Sequence, residues 1–164
     1  MNKRGISTII GTIIMVALVM AAGALIWGVI NSSIEKQTEG TQSCFGNFGK
    51  ITLERRYTCY DSTNDRMQFA INIGDIDVDE MIILISSIGE TKSFKLSNTA
   101  SLVPNLVMYN GTTNVWLPPK NSGITYNATI NTLPSSVTIA PIIGGNQCDI
   151  ADEIVDIDDC KSFV

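Results

Sequence analysis

Histidine does not occur anywhere in the 164-residue chain. With it goes the commonest general base near neutral pH, so Ser-His-Asp and Cys-His catalysis are excluded. Charge is sparse as well: 16% of the residues are charged, without any basic patch, and the net charge of −5 becomes −7 once Lys3 and Arg4 are set aside. That balance argues against general attraction to nucleic acid or anionic lipid. A Walker loop, a dinucleotide-binding glycine pattern and the C-x₂-C spacing of zinc sites are all missing. Two carboxylates across a cleft would suffice for glycosidase chemistry, but nothing singles out such a pair, and a head of this size scarcely holds the cleft. The chain is expected to be no enzyme and to need neither cofactor nor resident metal.

What is present is concentrated at the N-terminus. After Lys3-Arg4-Gly5, 25 residues pass without a charge, and the polar groups up to Ile30 are Ser7, Thr8 and Thr12, whose hydroxyls can bond back to helix carbonyls. As a helix, residues 6–30 would span about 37 Å, enough to cross a hydrocarbon core of roughly 30 Å. Lys3 and Arg4 hold the N-terminus in the cytoplasm and place everything after Asn31 outside.

Three readings compete for this segment. A secretory signal peptide has a shorter apolar core of about 7–15 residues and then a polar cleavage region. Ala22-Gly23-Ala24 imitates such a site, yet cutting there would leave apolar residues 25–30 on the product. The second reading is a plain signal anchor that is never cut.

The third comes from the whole string KRGISTIIGTIIMVALVMAAGAL, which resembles the N-terminus of archaeal type IV pilins. In that family a class III signal peptide ends in a basic residue and glycine. A prepilin peptidase cuts after the glycine on the cytoplasmic side, and the apolar helix is kept. The resemblance covers residues 3–30 and implies processing at Lys3, Arg4, Gly5 and Ile6, with the Gly5–Ile6 bond broken. Arg-Gly-Ile-Ser followed by Ile-Ile-Gly-Thr-Ile-Ile-Met-Val is more similar to the adhesive pilins than to the archaellins, although a minor pilin, an archaellum subunit and a pseudopilin belong to the same class. Bacterial relatives generally carry glutamate as the fifth mature residue. Ile10 stands there, so docking through that charge is not available.

The resemblance therefore implies residues 1–5 as a removed signal peptide. Residues 6–44 become a helix that spans the membrane before assembly and forms a filament core afterwards, and residues 45–164 an extracellular head. The partners implied are sister subunits, the peptidase and the assembly machinery, and the destination is a cell-surface filament, with adhesion as its task. Ala17, Ala21, Ala24 and Gly28 recur at spacings of 4, 3 and 4, a narrow stripe on one helix face. Small residues permit close helix packing, although alanine and glycine are also simply common in membrane helices. The polar stretch after Asn31 extends the helix as a stem to about Cys44, with Gly40 a weak point.

The head reads as antiparallel β, and the fold class as α+β: a long apolar helix followed by a β-sandwich-like, pilin-like head. Met67, Phe69, Ile71 and Ile73 alternate with polar or small residues, and Ile51, Leu53 and Tyr57, then Phe94 and Leu96, follow the same rule. Residues 81–85 are apolar throughout, which predicts cover on both sides by the stem or a neighbouring subunit. A turn or bulge is expected near Gly74, where the apolar phase shifts. Asn110-Gly111 predicts a hairpin, and Pro118, Pro119 and Pro134 break strands.

Cys44, Cys59, Cys148 and Cys160, even in number and beyond the apolar run, fit disulfides in an oxidising space better than a four-thiolate zinc site. Local pairing of Cys44 with Cys59 and Cys148 with Cys160 would close modest loops worth about 2–4 kcal/mol each, and the other two connectivities stay open. Asp75, Asp77 and Asp79 fail as an EF-hand loop because Glu80 and Ser86 occupy the glycine and glutamate positions. The six acids between Cys148 and Cys160 read as a solvated face, with calcium as the alternative. Sequons at Asn31, Asn110 and Asn127 mark candidate glycans, with Asn110 on a hairpin tip and Asn127 outward on a strand, and Asn31 the poorest of the three.

Overall fold

The structure is a computed structural model that describes residues 3–44 and 49–160, with side chains for residues 10–31, 44 and 49–160. The side chains of the expected processing residues Lys3, Arg4, Gly5 and Ile6 lie outside the described residues. The chain divides into two compact units, Met1–Glu39 and Gly40–Val164.

A single helix, α1 (Lys3–Cys44), opens the chain. Its large apolar residues are mainly β-branched Ile and Val, which are only moderate helix formers, and its backbone remains helical through Gly40 despite the cost of about 1 kcal/mol that glycine imposes. Among the described residues twelve strands follow: β1 (Ile51–Leu53), β2 (Cys59–Asp61), β3 (Arg66–Ile73), β4 (Glu80–Ser87), β5 (Glu90–Ser97), β6 (Ser101–Leu102), β7 (Leu106–Met108), β8 (Asn114–Val115), β9 (Ser122–Thr129), β10 (Pro134–Ile143), β11 (Asn146–Gln147) and β12 (Asp152–Val155). The class is α+β with antiparallel sheets.

One five-stranded sheet runs β1-β3-β9-β7, with β2 beside β1 on the same edge of β3. The other runs β11-β10-β4-β5, with β12 also on β10. A two-stranded sheet joins β6 and β8. Both large sheets feed one hydrophobic core. Met67, Phe69, Ile71 and Ile73 on β3 and Phe94 and Leu96 on β5 face it, as their alternation predicts. Each such residue contributes about 1.5–3 kcal/mol by leaving water.

Several expectations change. Tyr57 sits in a 3-10 turn (Arg55–Tyr57) and is exposed, because β1 ends at Leu53; Tyr60 on β2 is the aromatic that turns inward. On β4, Met81, Ile83 and Ile85 are buried. Ile82 and Leu84 are only half-buried within the head, opposite Lys95 and Ser93 on one side and Ala140 and Thr138 on the other. Asn110-Gly111 does turn, with Gly111 at φ +85°, but the flanking strands separate: β7 pairs with β9 and β8 with β6.

The phase shift at Gly74 is a turn, in which Gly74 N donates to Lys50 O and Ile76 N to Gly74 O. Pro134 takes the first place of β10, beside a bulge. Pro141 lies within β10, opposite Met81. Its carbonyl accepts from Cys148 N, so its hydrogen-less nitrogen faces the same edge, in the gap between β11 and β12 where no ladder bond is required.

The disulfides take one of the connectivities that the sequence leaves open. Cys44 bonds Cys148 and Cys59 bonds Cys160, so the local pairs do not form. Topology is the reason: β12 pairs with β10 in one sheet, and the chain then crosses to β2 in the other. Tyr60 N donates to Asp158 O at 2.9 Å, and Tyr60 and Asp159 form a parallel bridge. Cys160 is thereby delivered to Cys59, with Cα atoms 4.9 Å apart.

Candidate functional site

Two regions carry chemistry that packing of the head does not use up: the exposed apolar length of α1 and the surface of the head. Ile10–Asn31 of α1 has a mean hydropathy of 2.6 and no buried residue. At 1.5 Å per residue its 22 residues span about 33 Å, the thickness of a bilayer core. By length and composition it suits membrane anchoring, as does a signal sequence. Large apolar side chains point in every direction, from Ile30 at 47% exposed to Leu25 at 74%, so the helix has no polar side to give to water.

Ala17, Ala21, Ala24 and Gly28 lie along α1 within an arc of about 60°, given 3.6 residues per turn, and all four are exposed. A Cβ built at Gly28 meets nothing within 4 Å. The stripe is thus a shallow channel between ridges of larger residues, open along its length. Thr12, the polar residue among these with a described side chain, has a bonding partner.

On the head, one open cleft of about 510 Å³ is lined by residues 49–50, 52, 72–74 and 121–123. Its floor is the outer side of β1, β3 and β9, where Thr52, Asn72 and Gly123 lie side by side. Asn72 lies across Gly123, so a Cβ there would collide with Asn72 Oδ1. Lys50 is the one ionisable residue in the lining, which leaves no acid and base facing each other. Sequence periodicity gave no sign of this cleft, since it is made by the ends of strands far apart in the chain.

The acidic residues are distributed rather than gathered. Asp77 binds Lys120 at 2.8 Å and raises its ammonium above the usual lysine range by accepting its hydrogen bond. Asp79 Oδ2 accepts from Gly145 N at 3.2 Å. Among the described residues no group of three or more His, Cys, Asp or Glu side chains is placed to hold a metal ion. The acids between Cys148 and Cys160 do form a solvated face, with Asp149, Glu153, Asp156, Asp158 and Asp159 exposed and Asp152 half-buried, and the segment is anchored between them: Ile154 and Ile157 enter the core, Asp152 Oδ2 accepts from Leu53 N at 2.8 Å, and Arg55 Nη2 donates to Val155 O at 3.2 Å. Both bonds tie the β12 segment to the β1 side of the other sheet, a role carried by tertiary contacts alone.

Two buried phenols brace the same core. Tyr126 stacks on Phe69 with ring centroids 5.5 Å apart and donates to Trp116 O at 2.7 Å. Tyr60 donates to Asp65 Oδ1 and Ile130 O, each at 3.2 Å. Burial raises both hydroxyls above the ordinary phenol value of 10.0, and for Tyr60 the hydrogen bond to Asp65 adds to it. Folding thus favours their neutral forms, and that stabilisation is intact below about pH 10 and lost as pH rises toward the folded values. The melting temperature of the head is expected to fall from about pH 10 upward, with a flatter profile in a Tyr60→Phe, Tyr126→Phe variant. An unchanged melting temperature through about pH 11 contradicts this assignment.

Among the candidate glycan positions, Asn110 is exposed at its turn and Asn127 is half-buried in β9. The two disulfides fit an oxidising, extracytoplasmic setting. Comparison with protein-family models, with curated proteins and with solved structures finds no match.

Proposed function

We propose that the chain is a structural subunit of a surface filament of the archaeal type IV pilus kind, processed at Gly5–Ile6 and assembled through residues 6–44. In this reading residues 45–164 form a β-sandwich-like head that coats the fibre and carries adhesion, with no catalytic role. The observation that carries it is the apolar length of α1, exposed on every side over Ile10–Asn31 and preceded by Lys3-Arg4-Gly5. A secretory signal would be discarded and has no need of a helix that continues to Cys44. A simple anchor has no need of a small-residue channel.

The physical logic is an exchange of neighbours. Each large apolar side chain costs about 1.5–3 kcal/mol to leave in water, so this length of α1 persists in lipid or against copies of itself. Lipid tails are as apolar as a sister helix, so close van der Waals contact decides between them, and small residues allow the backbones to approach. Lys3 and Arg4 oppose transfer out of the cytoplasmic interface, and cleavage removes them. Partners on this reading are sister subunits, a prepilin peptidase and the assembly machinery, and the filament lies at the cell surface.

The test is negative-stain microscopy of sheared surface appendages, labelled with antibody to the head, in cells carrying wild-type or Ala24→Leu protein. Leucine is as readily inserted into a bilayer as alanine but fills the channel. Membrane-inserted protein is expected to be unchanged while filament yield falls about tenfold or more, the effect of about 1.4 kcal/mol at the helix interface. Unchanged yield removes the small-residue face from the assembly.

A further inference from the structure

We infer that Asn110 is the N-glycan acceptor of the head and that the sequons at Asn127 and Asn31 are not used. The inference needs the head to reach the side of the membrane where disulfides form; it does not need the chain to polymerise.

The three sequons have equivalent chemistry in sequence and different chemistry in the fold. A transferase must grip the acceptor segment along its backbone and draw one asparagine amide into its active site. That requires a segment whose backbone edges and side chains are free. Residues 109–114 are exposed without interruption. Asn110 Oδ1 accepts from Thr112 N at 3.0 Å, which fixes the orientation of the amide, because a backbone N–H can only face the oxygen. Nδ2 is consequently turned away from the turn and donates to no described group. Gly111, at φ +85°, adds no side chain between Asn110 and the Thr112 hydroxyl, and both sequon side chains stand in solvent.

Asn127 fails each requirement. It lies in mid-strand in β9, opposite Gln68 of β3 on one side and Val107 of β7 on the other, so both backbone edges are occupied by ladder bonds. Its side chain is half-buried between those neighbours, and Thr129 N is committed to Asn105 O at 2.9 Å. Presenting Asn127 would require β9 to leave the centre of its sheet, taking Tyr126 and Ala128 out of the core. Asn31 is a helical residue at the end of the apolar span. Its backbone is held by i to i−4 bonds and would have to unwind at the edge of the bilayer.

The reaction is a glycosyl transfer from a lipid-linked glycosyl phosphate or diphosphate, the donor class of membrane oligosaccharyltransferases. Asn110 Nδ2 bonds to the anomeric carbon as that carbon's bond to the phosphate oxygen breaks. The lipid phosphate leaves with the bonding electron pair, and the proton lost from Nδ2 passes to a base of the transferase. No oxidation or reduction occurs. The product carries its glycan on the exposed turn that follows β7.

The test is intact-mass and glycopeptide analysis of full-length protein from the cells that make it, wild type and three variants. One glycan is expected on wild type, at Asn110. It should vanish in Asn110→Gln and in Thr112→Ala, and persist in Asn127→Gln. Thr112→Ala keeps the backbone donor of the 3.0 Å bond, so loss of the glycan there reports acceptor chemistry rather than a collapsed turn, and unaltered thermal unfolding confirms it. A glycan on Asn127 or Asn31, retention in Thr112→Ala, or an unmodified wild-type protein overturns the inference. None of these outcomes bears on whether filaments form.

Discussion

Replacing all four cysteines with serine is expected to lower the stability of the head by about 8 kcal/mol, comparable to the whole stability of an ordinary domain at about 5–15 kcal/mol, and so to leave it largely unfolded. The size follows from how the bridges interleave. Each closes a long loop, with sequence separations of 104 and 101, and the first to form removes about 4.7 kcal/mol of unfolded-chain entropy. Once it exists, the remaining cysteines are joined by a shorter path: the 15 residues from Cys44 to Cys59 and the 12 from Cys148 to Cys160. Closing that path contributes about 3.5 kcal/mol more. Removal of either pair alone should therefore cost about 3.5 kcal/mol, less than half of the total.

Denaturant unfolding of the detergent-solubilised chain measures these values. The variant Cys44→Ser, Cys148→Ser also separates the connectivities by thiol count. It should show no free thiol, since Cys59 and Cys160 remain bonded to each other, whereas local pairing would leave two. Two free thiols, or a cost below about 1 kcal/mol for removing a pair, would contradict the interleaved arrangement.

Gly5→Val is expected to abolish filaments while leaving membrane insertion intact, with precursor accumulating in place of mature subunit. Under the proposed processing, a branched side chain replaces the hydrogen of glycine beside the bond to be cut. The uncut chain then keeps Lys3 and Arg4 on a helix that must pack among apolar copies. Each charge costs about 2.5–3.5 kcal/mol at the centre of a helix in hydrocarbon. Even half of the combined penalty lowers assembly about a hundredfold. Gly5→Ala, with one small group added, should still be cut and assemble. Immunoblot mobility and microscopy read both variants, and a normal Ile6 terminus in Gly5→Val would dismiss the peptidase assignment.

The sequence revealed what depends on local periodicity. β3 and β5 were readable because their alternating residues face a single core, and α1 because an uncharged run of that length has few other stable forms. On β4 the odd residues were readable as core, while the cover expected over Ile82 and Leu84 is incomplete in the head itself. The alternation does not reach Tyr57 because β1 ends at Leu53 and residues 55–57 form a 3-10 turn.

Longer-range features left no comparable mark. The nearest cysteines in sequence are not partners, because strand order in two sheets determines which sulfurs meet. The acidic C-terminal run is solvated, as its composition predicts, but composition does not show that Ile154 and Ile157 bury or that Asp152 satisfies a backbone N–H on β1. The sequence places Asn110 on a turn and Asn127 on a strand, but the pairing of β9 on both edges and the half-burial of Asn127 come from the fold.

The most direct test of the proposed assembly is the N-terminal residue of protein recovered from sheared surface filaments, determined by sequencing or by intact mass. Ile6 as the first residue, in material that is polymeric, is the expected result. A monodisperse surface protein that begins at Met1 and never forms fibres would contradict it, and would leave the chain as an uncut membrane-anchored surface protein.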